Sequence, residues 1–536
     1  MKRPWLLSLP VIGLAATAFA VARSGGGDAG PAVPRFAAEA EAAGITHVYD
    51  GEFPFFVGGG VATFDCNSDG KPELYFAGGT NRATLYVNHS SVGGALRFTA
   101  KRSRVTDLES VTGAYPLDID SDGRTDLVVL RRGGNALLRG LGDCAFEDAT
   151  TRWGIDRGSS WTTAFSATWE GTNNLPTLAF GNYLVPDTYD CAASALWRPV
   201  RDAYDEATAI PTHCALSMLF SDWNHDGNTD LRVSNDRNYD RNAREQLLKM
   251  RVGERPVEYT SADGWRDLTI WGMGIASQDL TGDGKPEVFL TSQADNKLQT
   301  LDEGTTRPAY HDIALKRGVI AQRPYAGDDV LPSTAWHPEF ADVNNDGRID
   351  LFIAKGNVDA QIDYAKYDPN NLLLGRGDGT FVERGEEAGV ANGARSRGAS
   401  LVDLNLDGLL DLVVVNRRVP AEVKRNLGNS TGTKATPMGH WIGVRLHQPA
   451  PNVDAIGAWV EVRTPRATTT LEVTVGGGHA SGDAGWLHVG LGEATSAEVR
   501  VTFPGAPPTA WMNVDSDAFY DVTRGESNPV AWQPND

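Results

Sequence analysis

A ten-residue pattern rich in acidic residues recurs six times along this 536-residue chain. Its copies begin at Asp65, Asp118, Asp222, Asp279, Asp342 and Asp403, and the second copy reads DIDSDGRTDL. Positions 1, 3, 5 and 9 carry oxygen side chains in every copy, and position 6 is always Gly. Alternate residues on such a turn direct their oxygens toward one point, and position 9 adds a carboxylate where an apolar run begins. These hard oxygen ligands suit Ca²⁺, and they suit Mg²⁺ less well.

The candidate metal ligands are the four oxygen-bearing residues of each copy. They are Asp65, Asn67, Asp69, Glu73, Asp118, Asp120, Asp122, Asp126, Asp222, Asn224, Asp226, Asp230, Asp279, Thr281, Asp283, Glu287, Asp342, Asn344, Asp346, Asp350, Asp403, Asn405, Asp407 and Asp411. A single copy could be an ordinary hairpin turn with solvated acids, but six copies in register predict up to six structural Ca²⁺ ions. An EF-hand is excluded because a β-rich apolar run, and not a helix, follows position 9.

The loops also account for the acidity of the chain. The formal net charge is −20, with 69 acidic and 49 basic residues, and 19 of the acids belong to the six loops. The other 50 acids nearly balance the bases. We therefore interpret the acidity as calcium-ligand content, and we expect no nucleic-acid partner because phosphate binding needs clustered Lys and Arg.

The spacing of the copies indicates a repeat fold. Successive copies start 53, 104, 57, 63 and 61 residues apart, and 104 is twice 52, so one unit lacks the pattern. In that gap Pro176-Thr177-Leu178 aligns with Pro72-Glu73-Leu74, and Trp169, Gly171 and Asn173 stand at loop positions, so we predict a seventh unit without metal. Each unit holds four short β-rich runs and is too small to bury a core alone. This predicts an all-β, seven-bladed β-propeller.

The ends of the repeat region predict how the ring closes. The tail of a unit reads FVERGEEAGV at 381–390, and a similar segment, FAAEAEAAGI at 36–45, precedes the first loop. The last unit lacks this tail. Because a ring must cover its edge strands, we predict that residues 36–45 supply the outer strand of the last blade.

These units resemble FG-GAP or VCBS-type repeats, the calcium-loop blades of integrin-alpha-like seven-bladed propellers. The similarity covers roughly 36–427, and Trp271-Gly-Met-Gly-Ile275 before the fourth loop resembles the strand-to-loop entry of that family. From His440 onward the alternating apolar runs predict a small β domain, and segments such as 487–492 and 499–505 resemble the ASPIC/UnbV-type module. The whole chain resembles the cartilage acidic protein family and its bacterial relatives. That resemblance implies secretion and calcium binding, and it implies no assigned reaction.

The N-terminus predicts export. Lys2 and Arg3 precede an apolar run that ends near the small-residue site Ala18-Phe19-Ala20, so residues 1–22 are predicted to be a signal peptide. An uncleaved membrane anchor is the alternative. Either way we expect a secreted or periplasmic protein with no membrane span after signal cleavage. The expected organisation is a linker at 23–35, the propeller at 36–432 and the ASPIC/UnbV-type β domain at 439–525.

Four cysteines, Cys66, Cys144, Cys191 and Cys214, form no C-x-x-C pair, which argues against a structural zinc site. An even number in an oxidising compartment favours two disulfides. The nearest pair is Cys191 with Cys214, which leaves Cys66 with Cys144. Three connectivities are formally possible, and reduced buried thiols are the alternative.

No segment of the sequence predicts catalysis. His479, Ser481 and Asp483 lie too close together for a catalytic relay, which is assembled from separate elements, so we interpret them as a polar turn. Gly428-Asn-Ser-Thr-Gly432 matches a nucleophile motif by letter but lacks its strand-to-helix context.

Two insertions, 183–220 and 321–338, carry aromatic residues that suit carbohydrate or protein contacts, or that pack the insertions onto the ring. They include Trp197, Tyr204, Tyr325 and Trp336. We therefore predict a monomeric, calcium-binding scaffold for an extracellular protein or glycan ligand, without catalysis. The alternative is an extracytoplasmic enzyme that acts on carbohydrate in the propeller channel. A pair of inward carboxylates about 5 to 10 Å apart in a pocket, outside the metal loops, would favour it, and their absence would favour binding.

Overall fold

We describe residues 30–320, 323–325, 329–359 and 361–534 in a computed structural model of the chain. The predicted signal peptide at 1–22 lies outside these residues. Within the described residues no helix is long and apolar enough to cross a membrane. The helical content there is one α-helical turn, Ala314–Arg317, and one 3₁₀ turn, Ser261–Asp263.

Seven four-stranded antiparallel units, which we number as blades in chain order, are formed by the described residues between 36 and 426. Blade 1 contains Val61–Phe64, Glu73–Phe76, Thr84–Asn88 and Phe98–Lys101. Blade 2 contains Val111–Leu117, Asp126–Arg131, Ala136–Gly142 and Ala145–Asp148. Blade 3 contains Thr162–Thr168, Thr177–Asn182, Ser194–Val200 and Ala203–Ile210. Blade 4 contains Ala215–Ser221, Asp230–Asn235, Gln246–Lys249 and Val257–Glu258. Blade 5 contains Gly272–Gln278, Glu287–Ser292, Lys297–Leu301 and Tyr310–Asp312. Blade 6 contains Ala335–Ala341, Asp350–Lys355, Asn371–Gly375 and Phe381–Glu383. Blade 7 contains Arg395–Val402, Asp411–Arg417, Glu422–Asn426 and Phe36–Ala38.

The blades form a closed ring. The first strand of each blade contacts the first strand of the next, and the first strand of blade 7 contacts that of blade 1. Neighbouring blades bury both faces of the middle strands, which is why strands such as Asp126–Arg131 read as nearly continuous apolar runs. The predicted all-β propeller is therefore confirmed. The segment without the loop pattern, around Trp169, forms the four strands of blade 3.

The N-terminal segment closes the ring as predicted. Phe36–Ala38 pairs antiparallel with Glu422–Asn426 and so completes blade 7. Beside this strand Glu39 accepts a 2.9 Å hydrogen bond from Arg425, and both side chains are largely buried. Blade 7 therefore joins the two ends of the ring with main-chain hydrogen bonds and an ion pair.

Two disulfides cross-link the propeller. Cys66 is bonded to Cys144, and Cys191 is bonded to Cys214. The first joins the loop of blade 1 to the outer hairpin of blade 2, and the second closes the insertion of blade 3 onto the start of blade 4. This is the connectivity that the nearest-pair argument favours.

The C-terminal region folds into two further four-stranded sheets around their own core. One sheet contains Leu487–Gly492, His440–His447, Ala518–Thr523 and Val530–Trp532, and the other contains Thr468–Glu472, Trp459–Arg463, Ser496–Thr502 and Met512–Asp515. Val444, Val460, Val499 and Val514 lie in the core between them. This C-terminal domain lies on the face of the propeller that carries the acidic loops.

One segment of the C-terminal domain, residues 475–484, enters the propeller channel, and we call it the plug. Its main chain bridges to the first strands of successive blades, from Ala167 in blade 3 through Leu219 and Ile275 in blades 4 and 5. It ends as the short strand Gly482–Asp483, which runs parallel to the first strand of blade 1. The plug therefore bonds the C-terminal domain to the inside of the ring.

Small residues on the first strands admit the plug. A Cβ placed on Gly60 would lie 1.7 Å from the carbonyl oxygen of Ala480, and one on Gly113 would lie 2.4 Å from the same atom. His479 has no exposed surface. Its Nε2 accepts a 3.1 Å hydrogen bond from the amide of Gly58, and its Nδ1 lies 3.1 Å from the carbonyl of Met273. The segment that the sequence presents as a polar turn is thus a buried tether, and no catalytic relay forms there.

Candidate metal centres

The six acidic loops share one backbone conformation. Each follows the first strand of its blade, and the amide of the position-6 Gly donates to the position-1 Asp at 2.7 to 3.0 Å in every loop. The position-7 amide donates to the position-5 Asp at 2.9 to 3.1 Å, again in all six. Each loop therefore folds back around its own carboxylates.

Position 4 of each loop also adopts a shared conformation that the residue types do not reveal. Its φ is positive in all six loops, from 55° to 74°, although only Gly282 is a glycine. Leu406 holds this left-handed conformation with φ at 56°, which costs free energy for an aliphatic side chain. The surrounding loop hydrogen bonds hold it there.

The position-9 carboxylate ties each loop to the blade behind it. In blades 1, 2, 5, 6 and 7 one of its oxygens accepts the amide of position 2, at 2.8 to 3.1 Å. The other oxygen of Asp126, Asp350 and Asp411 accepts a third-strand amide at 2.7 to 2.8 Å. The carboxylate is thereby fixed in position, while each oxygen retains a lone pair for a ligand.

Burial makes these carboxylates costly to ionise without a cation. Burial, followed by the charge of nearby loop acids, raises the pKa of Glu73 to about 9, of Asp126 to about 8 and of Asp342 to about 8. A bound divalent cation would favour the ionised forms and remove the repulsion between them. The loops thus gather carboxyl groups at six places, and a cation would keep them ionised there.

The donor set of blade 2 fits a metal ion most directly. Asp118, Asp120 and Asp126 bring carboxylate oxygens within 4.8 Å of one another. Oδ1 of Asp120 is buried and has no hydrogen-bond partner within the described residues. Arg139 donates to the other oxygen of Asp120 at 2.6 Å, which leaves Oδ1 for a ligand. In blade 7 the position-3 oxygen, Oδ1 of Asn405, is likewise buried and unpartnered within that part of the chain.

Blade 4 departs from this arrangement at position 9. Both oxygens of Asp230 accept hydrogen bonds there, from the indole of Trp223 at 2.9 Å, the hydroxyl of Tyr259 at 2.8 Å and the amide of Met250 at 3.0 Å. Three donors already stabilise this carboxylate. The blade 4 loop therefore has less unmet demand for a cation than the loop of blade 2.

Blade 3 carries no predicted metal ligands, and an ion pair stands near the corresponding loop position. Arg198 donates to both oxygens of Glu170, at 2.5 and 2.9 Å. The hydroxyl of Thr177, at position 9, donates to the same carboxylate at 2.6 Å. The guanidinium group of Arg198 thus supplies positive charge to this carboxylate.

The C-terminal domain covers the loop face. Asn345 in the blade 6 loop lies 2.7 Å from Nε2 of His488, and the amide of Gly492 donates to its carbonyl at 3.0 Å. The amide of Asp222, position 1 of the blade 4 loop, donates to Glu472 at 2.8 Å. Trp441 packs against Leu406 of blade 7. The loop conformations therefore form part of an interface between the two domains.

The aromatic residues singled out in the insertions have different positions. Trp197 and Tyr204 lie on the third and fourth strands of blade 3 and Trp336 lies on the first strand of blade 6, so these parts of the predicted insertions belong to the blades themselves. All three are buried, whereas Tyr325 is 44% exposed. Trp336 also lines a cavity at the channel end opposite the loops, together with aromatic residues that the sequence did not single out. Sequence reasoning missed them because they come from separate blades.

The plug fills the channel that the enzyme alternative would use. Glu339 and Asp483 line a cavity of about 160 Å³ beside it, and they are inward carboxylates outside the metal loops. The amide of Leu401 donates to both oxygens of Glu339, at 3.1 and 3.0 Å, and His337 lies 3.3 Å away. Glu339 therefore braces blade 6 against blade 7.

Known protein families match parts of the propeller and most of the C-terminal domain. Models described as FG-GAP-like repeat match residues 65–129, 279–353 and 342–414, and one described as ASPIC and UnbV matches residues 448–529. Cartilage acidic protein 1 of Homo sapiens is 26% identical over a segment that covers 39% of this chain and 40% of that protein. The Xenopus tropicalis protein is 27% identical, with 32% and 35% covered. These matches confirm the resemblance seen in the sequence, although this chain covers well under two thirds of those relatives.

Two solved structures are distantly similar to this chain. BBS1N in complex with ARL6DN has a TM-score of 0.42 at 10% identity, and the match covers 70% of this chain and 93% of that chain. A lectin of Agrocybe aegerita that recognises terminal N-acetylglucosamine has a TM-score of 0.38 at 16% identity, covering 71% and 97%. Neither likeness identifies a function for this chain.

Proposed function

We propose that this chain, whose repeats and C-terminal domain are those of the cartilage acidic protein family, is a secreted, calcium-stabilised scaffold that binds an extracellular protein or glycan. The observation that carries the calcium proposal is the common geometry of the six loops. Each loop arranges the oxygen-bearing residues of positions 1, 3, 5 and 9 around one turn, with position 9 buried in all six, and Asp120 and Asn405 hold oxygens without a hydrogen-bond partner among the described residues. Calcium would neutralise these carboxylates and thereby stabilise the turn.

The extracytoplasmic location is supported by both disulfides, which persist in oxidising compartments. A binding role is supported by the position of the loops. The C-terminal domain and its plug cover the loops, so bound calcium would make the whole molecule more rigid. The propeller face opposite the loops would remain free to bind a ligand. The proposal includes no catalytic step.

Metal content is the direct test. Protein dialysed against calcium and then against metal-free buffer should retain up to six calcium ions per chain by mass spectrometry, and magnesium should replace them poorly. Asp126→Asn should remove one ion. Protein that retains no calcium, or a count unchanged in Asp126→Asn, would contradict the proposal. Glycan and extracellular-protein arrays probed with and without calcium test the binding role.

A further inference from the structure

A pocket of about 260 Å³ lies at the end of the channel opposite the metal loops. Trp336 and Met273 line it from the beginnings of the first strands of blades 6 and 5, and Asp236 lines it just after the second strand of blade 4. The metal loops follow the ends of first strands. The pocket and the loops are therefore separated by roughly 20 Å of strand, at about 3.3 Å per residue.

Aromatic rings form most of its wall. Phe53 contacts Trp161 edge-on at 5.4 Å between ring centroids, Trp161 contacts Tyr183 at 5.0 Å, and Tyr183 contacts Tyr239 at 5.7 Å. Tyr239 is 42% exposed, so the chain of rings runs from the interior to the surface. Such rings offer flat apolar faces to the C–H bonds of a ligand.

The insertion of blade 3 extends this wall. Tyr189 lies two residues before Cys191, which the disulfide to Cys214 anchors at the start of blade 4, and its ring lies 5.5 Å from Phe53. Tyr189 is 52% exposed and has a positive φ of 61°. The disulfide therefore anchors the segment next to this strained, exposed aromatic residue at the rim.

Polar groups that suit hydroxyl ligands lie within the same pocket. Asp236 is 1% exposed, and its oxygens accept hydrogen bonds from the hydroxyl of Tyr183 at 2.5 Å and the amide of Asn238 at 2.9 Å. Both donors are neutral, and burial raises the pKa of Asp236, so its carboxyl can accept or donate a further hydrogen bond. The indole nitrogen of Trp161 is buried without a partner among the described residues, and a hydroxyl would satisfy it.

The charges behind the wall disfavour a cationic ligand. The guanidinium of Arg397 lies 4.0 Å from the ring centroid of Trp336, and that of Arg417 lies 4.3 Å from Phe56. Both rings already interact with a cation, so an organic ammonium ion in the pocket would meet positive charge behind two of its walls. A neutral polyhydroxylated ligand meets no such penalty.

The plug closes the pocket from below. His479 packs against Trp336 at 5.0 Å between ring centroids, and its Nδ1 contacts the carbonyl of Met273. The pocket is therefore a blind cup, and its volume lies below the 300 to 1,000 Å³ typical of sites for drug-sized ligands. A single ring fits this space better than an extended chain.

We infer that this pocket binds one neutral sugar ring, the terminal residue of a glycan, by stacking on its aromatic wall and by hydrogen bonds to Asp236 and Trp161. This inference rests on the proposed binding function and specifies its site.

The test uses the full chain with calcium and a panel of methyl glycosides of glucose, galactose, mannose, fucose and N-acetylglucosamine, observed by saturation-transfer NMR. At least one glycoside should bind, with signals concentrated on its ring C–H protons. Its affinity should fall at least tenfold in Tyr239→Ala and in Asp236→Asn. Tyr367→Ala is the matched control, because Tyr367 is 64% exposed and lies outside the pocket lining.

Tyr239→Ala separates a loss of glycoside binding from a loss of folding. Tyr239 is a rim residue, so Tyr239→Ala should retain the melting temperature and the calcium content of the parent. No binding by any glycoside, equal binding in Tyr239→Ala, or preferential binding of choline as a cationic probe would overturn the inference. If glycosides fail while calcium still stabilises the protein, the pocket assignment fails and the calcium scaffold stands. Loss of calcium binding itself would instead contradict the proposed function.

Discussion

Blade 3 and blade 2 stabilise the same turn of the propeller in different ways. In blade 2, Asp118, Asp120 and Asp126 bring oxygens within 4.8 Å, and burial raises the pKa of Asp126 to about 8. In blade 3 the carboxylate of Glu170 is paired with Arg198 at 2.5 Å, and both side chains are mostly buried. One loop concentrates negative charge, whereas the other contains its own cation.

This difference separates the shape of a blade from its need for metal. Blade 3 keeps four strands and its place in the ring although Trp169, Gly171 and Asn173 replace loop ligands. A guanidinium group within the chain can therefore support a blade on this face. We expect the six acidic loops to depend on calcium and blade 3 to be independent of it.

Removal of calcium should have the largest effect. At free calcium of about 100 times Kd each occupied loop adds about 2.7 kcal/mol to the free energy of unfolding, so several loops together outweigh any single substitution. Excess chelator should lower the melting temperature by at least about 10 °C in differential scanning calorimetry. An unchanged melting temperature would contradict structural calcium and remove the contrast with blade 3.

Paired substitutions in the two blades should sharpen the contrast. Asp126→Asn should lower the free energy of unfolding by about 2.7 kcal/mol more in calcium than in chelator, because it removes one bound ion. The loss of one of the two main-chain hydrogen bonds to its oxygens is the same in both conditions. Glu170→Gln should lower the free energy of unfolding by about 3 kcal/mol with or without calcium, because it leaves the Arg198 cation buried without its carboxylate. Chemical denaturation with and without chelator measures both. An effect of Glu170→Gln that disappears with chelator would show that blade 3 also depends on metal.

The sequence was sufficient for the features that repeat along the chain. The alternation of oxygen ligands, the Gly at position 6 and the spacing of about 52 to 63 residues predict the loops and the propeller. The tail at 36–45 predicts the closing strand because the same tail recurs in other units. Such local patterns are visible without knowledge of which distant residues meet.

Long-range contacts explain what the sequence did not predict. Gly476, Gly477 and Gly478 look like a flexible turn, but their positive φ values let the plug follow the inside of the ring. Glu170 stands at position 2 of the altered loop, and its partner Arg198 lies 28 residues away, which no pattern links. The aromatic pocket gathers residues from several blades, each unremarkable in its own segment.

The plug should respond to substitution by a moderate amount. A Cβ at residue 60 would lie 1.7 Å from the carbonyl oxygen of Ala480, so Gly60→Ala must displace the plug, at a cost of about 2 kcal/mol. We expect faster proteolysis at the domain junction and a lower melting temperature. Gly432→Ala is the control, because its added Cβ meets no atom closer than 3.7 Å. Equal stability in the two variants would mean that the plug does not hold the domains together.

The smallest expected effect is a pH dependence that remains when calcium occupies the loops. Burial lowers the pKa of His479 from 6.5 to about 3, so between these values the unfolded chain binds the proton more readily than the folded chain. The stability from neutral His479 is therefore complete above pH 6.5 and is lost as pH falls toward 3.

Well below pH 6.5 this residue contributes about 1.4 kcal/mol per pH unit, and about half of that between pH 7 and 6. His479→Gln should reduce the change of the unfolding free energy with pH by the contribution of this one histidine. This holds even if the substitution also changes the unfolding free energy at every pH. His47 and His488, whose pKa values burial lowers to about 4, should maintain the remaining slope. Denaturation from pH 7.5 to 5.5 in saturating calcium measures the slope. An identical slope in parent and variant would show that the plug histidine is protonated in the folded protein, which is incompatible with its acceptance of the Gly58 amide at Nε2.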